Sequence, residues 1–180
     1  MFLMFGMFSA VNYYLAPYLS EKGFDAGQIG TVVAVGALVS IVAQPFWGYI
    51  SDRTKTIKRI LILLLVGTLL VSVGLFAMEH LLLIIVFYAC YMFLSSPIMP
   101  LSEALGILHA QEHRRQFGRI RVWGEIGIGI STLAIGYFVN AAGIDKLWIV
   151  FFLAGAVTVL AALLLRDSKM TPEPVNLKGL

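Results

Sequence analysis

The sequence predicts an all-α protein that crosses a lipid bilayer several times. Of its 180 residues, 59% are hydrophobic and only 13% are charged, and the mean hydropathy is +0.90. Soluble domains carry about 25% charged residues, so we expect lipid to solvate most of this chain. The pI of 9.1 does not indicate a nucleic-acid surface, because the basic residues form short clusters between long apolar runs.

Six apolar stretches are long enough to span a bilayer, which takes about 20 residues per helix. Short polar breaks separate them, so consecutive helices are expected to run antiparallel. The first stretch lacks the basic start and cleavage site of a signal peptide, and we predict a span there. The remainder, 166–180, contains Pro172 and Pro174 and is predicted to be a cytoplasmic tail that begins a linker. The predicted spans of the 1–165 bundle are 1–20, 27–50, 58–77, 81–108, 118–140 and 144–165.

The basic residues predict the orientation of the bundle, since Lys and Arg collect on the cytoplasmic side. One side, made of the loops after the second and fourth stretches, the first residues of the stretches that follow them, and the tail, holds 11 of the 13 Lys and Arg residues. The opposite side holds only Lys22 and Lys146. We therefore predict that both ends of the chain lie in the cytoplasm. We also predict that the chain resides in the inner (plasma) membrane of the cell. The cytoplasmic basic residues are Arg53, Lys55, Lys58, Arg59, Arg114, Arg115, Arg119, Arg121, Arg166, Lys169 and Lys178.

Metal, thiol and enzyme chemistry have little support. The single cysteine, Cys90, lies in an apolar run, and the three histidines match no metal-ligand spacing. No nucleophile has an adjacent base at a membrane face. We expect no cofactor and no metal, and a membrane enzyme is the weakest of the functional hypotheses.

Glu103 is the first candidate site residue because it lies inside the fourth apolar stretch. An ionisable group there costs roughly 2.5–3.5 kcal/mol on insertion scales, so it indicates function by default. Pro97 and Pro100 should interrupt the helix one turn earlier, as happens where a helix lines a cavity. At 100° per residue, Ser96 and Met99 share the face of Glu103. The alternative is a carboxylate that reaches the cytoplasmic rim without a role in binding.

Arg121 and Glu125 lie one turn apart in the fifth stretch and can pair, with Ile128 on the same face. A purely structural ion pair is the alternative interpretation. Three glycines lie in the same stretch, where small residues allow helices to approach closely, and we interpret them as a packing surface. They are Gly124, Gly127 and Gly129.

The connection after the second stretch has the order Gly48-x-x-x-Asp52-Arg53, followed by Lys58 and Arg59. A positively charged loop that merely obeys topology is the simpler interpretation. The order nevertheless resembles the signature loop of the major facilitator superfamily, and we predict a gating loop from it. The pattern departs from the family at Lys55, where a glycine is usual.

Other segments resemble the lactose permease branch of that superfamily, among them Phe117-Gly118-Arg119-Ile-Arg121 and Tyr13-Tyr14 in the first stretch. The resemblance covers essentially the whole chain. It implies the amino-terminal six-helix half of a proton-coupled symporter. In that branch a glutamate and an arginine bind sugar, and they fall on Glu103 and Arg121.

The resemblance has departures that leave the substrate open. Ile128 replaces the tryptophan that stacks on sugar, and Glu125 replaces a small neutral residue. Phenylpropionate and nucleoside permeases share the pattern, so a sugar, a nucleoside or an aromatic acid is expected, with protons as the second partner. The expected substrate-binding residues are Asn12, Tyr13, Ser96, Met99, Glu103, Arg121, Glu125 and Ile128.

Two further expectations concern the assembly of the chain and its functional class. Six helices supply one wall of the cavity in such a transporter, so a carboxy-terminal half or a second copy is the expected partner. The competing hypothesis is a membrane sensor or assembly protein that keeps the six-helix fold without transporting a solute.

Overall fold

The computed structural model describes residues 1–112 and 116–164, and every regular element in this part of the chain is a helix. Arg114 and Arg115, and the predicted tail with Arg166, Lys169 and Lys178, lie outside the described residues. The α-helices are α1 (Phe2–Glu21), α2 (Ala26–Thr54), α3 (Ile57–Ala77), α4 (Leu81–Ser95), α5 (Ile98–Glu112), α6 (Phe117–Ala142) and α7 (Leu147–Leu164).

Five of the predicted segments coincide with helical stretches that are long and apolar enough to span a membrane. Leu81–Glu112 forms one such span, made of α4 and α5 with a break at Ser96 and Pro97. The predicted interruption by proline is therefore present. Ser96 itself keeps helical dihedral angles (φ −58°, ψ −34°), and the interruption coincides with Pro97, which has no N–H to donate to the carbonyl of Phe93.

Helix α1 is the first predicted span, yet it falls outside that set of five. Asn12, Pro17 and three tyrosines lower its hydropathy. Residues 4–11 are buried by neighbouring helices, mainly α6 and α7. The hydrophobic residues of this stretch contact protein rather than lipid, whereas Asn12 and Tyr13 lie on the exposed face of the helix.

The second span is longer than predicted. Helix α2 continues to Thr54 and α3 begins at Ile57, so only Lys55 and Thr56 connect them. The predicted loop from Gly48 to Arg59 is therefore wrong as a loop: Gly48, Asp52 and Arg53 are helical. Backbone hydrogen bonding carries the helix beyond the apolar run, because the end of an α-helix is set by its cap rather than by hydropathy.

Two lysines join helix ends that the topology places on the same side. Lys22, after α1, donates to the carbonyl oxygens of Phe76 (3.2 Å) and Met78 (3.1 Å) at the end of α3. Lys58, at the start of α3, donates to the carbonyl of Leu163 at the end of α7 (3.1 Å). Cations are favoured at helix carboxyl ends, where carbonyls lack partners. The contacts agree with the predicted alternation of helix direction.

Candidate functional site

Glu103 and Arg121 form an ion pair between the fourth and fifth spans. Arg121 Nε lies 3.5 Å from Glu103 Oε1, and the two side chains are 55% and 30% exposed, respectively. Glu103 follows the break by about one and a half turns of α5, and Arg121 lies just over one turn into α6. A short connection between the two helices brings both residues to one end of the bundle. The expected pairing of these two residues is thus present.

The alternative pairing of Arg121 with Glu125 does not occur. Glu125 is exposed and forms no ion pair with any residue in the described ranges. Side chains on a helix lean toward its amino end, so Arg121 points away from Glu125 and toward Glu103 on α5. The order Arg then Glu along the chain is also the weaker of the two i, i+4 arrangements.

The remaining predicted binding residues do not form one compact cluster around this pair. Asn12 and Tyr13 are exposed on α1, with Tyr13 57% accessible. Ile128, two turns after Arg121, is half-buried and packs against the core. These positions present an open surface rather than a closed pocket.

Ser96 and Met99 flank the helix break and are both half-buried. Ser96 Oγ is buried without a hydrogen-bond partner in the described structure, while Met99 packs against the hydrophobic core. Met99 and Glu103 lie four residues apart on α5 and share a face, as predicted, whereas Ser96 lies at the break, across which the count of 100° per residue does not apply strictly.

The glycines of α6 bring the helix close to α1, as predicted for two of the three. A side chain at Gly124 would meet the ring of Phe5, and one at Gly127 would meet the backbone of Phe2. Gly129 instead faces open space. The sequence pattern alone could not separate Gly129 from the other two, because which face is covered depends on the neighbouring helix.

A hydrogen bond that the sequence did not predict joins the same two helices. The Tyr14 hydroxyl donates to the carbonyl oxygen of Thr132 at 2.7 Å. It lies near Gly136, where the absence of a side chain leaves room for the hydroxyl. In the sequence Tyr14 belongs only to a family pattern, since a tyrosine in an apolar run carries no signal of its partner. This bond fixes the position of α6, which carries Arg121.

The predicted gating residues have separate environments. Asp52 is exposed and forms no ion pair within the described residues. Arg53 Nη1 donates to the Tyr49 hydroxyl one turn earlier at 3.4 Å, and Lys58 caps α7 as described above. Arg59 is exposed on α3. Gly48 is half-buried and lines a groove with Asp52.

That groove lies between the end of α2, the start of α3 and α5, and has a volume of about 260 Å³. Polar and apolar side chains share its wall, which includes both prolines of the helix break. Its lining residues are Gln44, Gly48, Ser51, Asp52, Ile57, Pro97, Pro100, Leu101 and Ala104.

Residues 1–176 match the family described as MFS_1 like. The chain belongs to this family. It is 30% identical over 151 residues to an uncharacterized transporter, YwbF, of Bacillus subtilis (strain 168), covering 83% of this chain and 37% of that protein. It is also 31% identical to the maltose permease of Geobacillus stearothermophilus, with coverages of 85% and 39%. These relatives of the family are transporters and not enzymes.

A third relative and a solved structure agree with this assignment. The putative nucleoside transporter YegT of Escherichia coli (strain K12) is 31% identical over 133 residues, covering 70% of this chain and 30% of that protein. The crystal structure of the nucleoside transporter NupG superposes with a TM-score of 0.81 at 17% identity, covering 92% of this chain and 42% of NupG. That likeness concerns the fold. The chain spans less than half the length of each of these proteins.

Proposed function

We propose that this chain forms the amino-terminal half of a secondary transporter for a small hydroxylated solute, such as a sugar or a nucleoside. The observation that carries the proposal is the ion pair between Glu103 and Arg121 in a chain of the MFS_1 like family. The maltose permease and the putative nucleoside transporter among its relatives support this class of solute. An aromatic acid is a further candidate, since Arg121 can bind a carboxylate.

The chemistry of the pair suits a hydroxylated solute. The Glu103 carboxylate accepts hydrogen bonds from hydroxyl groups, and the Arg121 guanidinium donates hydrogen bonds to hydroxyl or ring oxygens. Both side chains are partly accessible, so a solute can reach them without unfolding a helix. Ile128 offers an apolar surface rather than an aromatic ring to such a solute. We expect affinity to depend more on hydrogen bonds than on stacking.

Alternating access requires a second wall, which a carboxy-terminal half or a second copy would supply. Proton-coupled symport is part of the proposal, with both ends of the chain in the cytoplasm and the bundle in the inner membrane. In such a cycle the solute would exchange hydrogen bonds with the ion pair as the two halves close around it. In the closed state, where the second wall would cover the pair, loss of either charge would leave the other unpaired in a low dielectric, which costs more than loss of both.

A double-mutant cycle on solute binding tests the proposal. Binding of maltose and of uridine is measured by calorimetry for the purified chain with Glu103→Gln, with Arg121→Gln and with both substitutions. We expect either single change to weaken binding of the accepted solute at least tenfold, and the double variant to be no weaker than the singles, because paired residues are non-additive. Glu79→Gln, in the exposed loop between α3 and α4, is the control and should bind as the unaltered chain does. Strictly additive effects would remove the pair from the solute site.

A further inference from the structure

Glu125 is a carboxylate within a spanning helix whose charge no group in the described structure balances. It lies eight residues after Phe117, the first residue of α6, which is about 12 Å along the helix, and it is exposed. Arg121, the cation one turn away, pairs with Glu103 at 3.5 Å instead. An ionisable group at such a depth is costly, and in membrane proteins it commonly marks the path of an ion or a proton.

Glu125 lies in a narrow polar strip on the surface of α6. At 100° per residue it is about 40° around the helix from Arg121 and about 40° from Gly129, which faces open space. Exposed apolar side chains begin at Val122, about 60° from Glu125 on the side of Gly129, and continue to Trp123, about 160° away. Those side chains suit lipid. Glu125 thus shares the side of α6 that carries the ion pair.

The elements packed against α6 supply few charges to this strip. Helix α7 has no titratable side chain between Leu147 and Leu164, and Asp145 and Lys146 lie at the opposite end of α6. No group in the described ranges, the Met1 amino group included, forms an ion pair with Glu125. The other titratable groups on the packed helices are Tyr13, Tyr14, Tyr18 and Glu21 of α1 and Glu103, His109 and Glu112 of α5.

The charge of the solute site indicates what balances Glu125. Glu103 and Arg121 neutralise each other, so Glu125 leaves the site with one net negative charge. A sugar or a nucleoside is uncharged and cannot balance it. When a solute and a second protein wall displace water from such a face, an unpartnered carboxylate takes up a proton rather than stay charged in a dry site. One proton for each neutral solute would close the charge balance.

We propose that Glu125 binds the proton that crosses the membrane with the solute. A carboxylate oxygen forms an O–H bond with a proton from water as the solute enters, and that bond breaks when water returns on the other side. The inference rests on the proposed transport function and names a residue for its coupling. The lactose permease branch has a small neutral residue at this position, so the assignment comes from this chain's own carboxylate and its surroundings.

The linkage between proton and solute binding tests the proposal. Binding of maltose and of uridine to the purified full chain in lipid nanodiscs is measured by calorimetry from about pH 5 to about pH 8. Buffers of different ionisation enthalpy give the number of protons taken up with each solute. The protonated form binds the solute better, so affinity should fall as the pH rises, by at most about tenfold per pH unit for one proton.

Variants at the same position identify the group. Glu125→Gln resembles the protonated carboxyl, so it should bind the solute at high pH as tightly as the unaltered chain does at low pH, without proton uptake. Glu125→Asp keeps a carboxylate and should keep the pH dependence. Glu79→Gln removes an exposed carboxylate from the loop between α3 and α4 and is the matched control. We expect it to keep both the pH dependence and the proton uptake.

Solute binding without proton uptake, or a pH dependence that Glu125→Gln retains, would overturn the proton assignment and leave the solute site intact. Two other results would assign Glu125 to a different cation and overturn it as well. The first is affinity at high pH that NaCl restores and choline chloride does not. The second is binding of glucosamine at least tenfold tighter than that of maltose, without proton uptake. Absence of binding of every solute at every pH would overturn the proposed solute site, and this inference with it.

Discussion

Lys55 is the only non-glycine residue with a positive φ in the described part of the chain, at φ 53° and ψ 25°. It caps the carboxyl end of α2 in the left-handed conformation, with its N–H bonded to the carbonyl of Ser51. This is the position at which the family pattern has a glycine. The left-handed conformation crowds a side chain and costs roughly 1–2 kcal/mol for residues with a Cβ. The departure noted in the sequence is therefore a strained cap, with the same backbone geometry a glycine would adopt.

We expect Lys55→Gly to stabilise the chain by about 1 kcal/mol, because it relieves that strain. Thermal unfolding in detergent measures the change. Lys55→Ala removes the same charge while keeping a Cβ and should give no comparable gain. Equal stabilisation by Gly and Ala would attribute the effect to the lost charge and contradict the argument.

At the scale of elements, the contact between α1 and α6 determines where Arg121 lies. Gly127 of α6 lies against the backbone of Phe2, and Tyr14 bonds to the carbonyl of Thr132, five residues further along α6. In a membrane, helix association depends on such close packing because lipid is as apolar as the side chains. The geometry of the ion pair thus rests on a helix interface of small residues some distance from the charges.

Gly127→Ala should destabilise the chain by about 1–3 kcal/mol, since the new methyl meets rigid backbone and the helices must move apart. Gly129→Ala is a matched control on the same helix: its position is open, and alanine favours a helix by about 1 kcal/mol over glycine. We expect the two variants to change the melting temperature in opposite directions. If both variants changed the melting temperature in the same direction, close packing between α1 and α6 would not be what limits the stability of the chain.

For the whole molecule, the helix-end contacts of Lys22 and Lys58 relate the spans to one another but not to the two sides of a cell membrane. The orientation rests on the distribution of basic residues. The exposed Glu79 follows α3 on the predicted outer side, and Thr56 precedes α3 on the predicted inner side.

In a Cys90→Ser background, we expect a membrane-impermeant maleimide to label Glu79→Cys but not Thr56→Cys in right-side-out vesicles, with the reverse pattern in inverted vesicles. Labelling after detergent permeabilisation is the control for reactivity at each position. Labelling of Thr56→Cys alone in right-side-out vesicles would reverse the predicted topology.

A bundle that supplies one wall of a transport pathway should not transport by itself. Glu125 is exposed and Glu103 and Arg121 are partly exposed, so another protein surface is expected to cover them. We predict that the 180-residue chain, reconstituted at less than one copy per vesicle, gives no solute-driven proton uptake. Uptake should return at higher density if two copies assemble, or on addition of a carboxy-terminal half. Uptake per copy that is unchanged by dilution would contradict the need for a second half.

Much of the fold follows from the sequence because span position depends on local hydrophobicity. The six apolar runs, the break at Pro97 and the close-packing role of Gly124 and Gly127 each depend on a residue and its near neighbours, so a linear pattern contains them. The family assignment likewise follows from short local motifs.

Only the tertiary structure decided which groups meet. Arg121 has a carboxylate one turn away, yet it pairs with Glu103, because the packing of α5 against α6 brings that residue within 3.5 Å. Hydropathy ended the second span too early, since hydrogen bonding and the Lys55 cap carry α2 to Thr54. The unpaired hydroxyl of Ser51 exists only where three helices enclose it. Contacts between distant segments depend on the relative placement of whole helices, which no single stretch of sequence specifies.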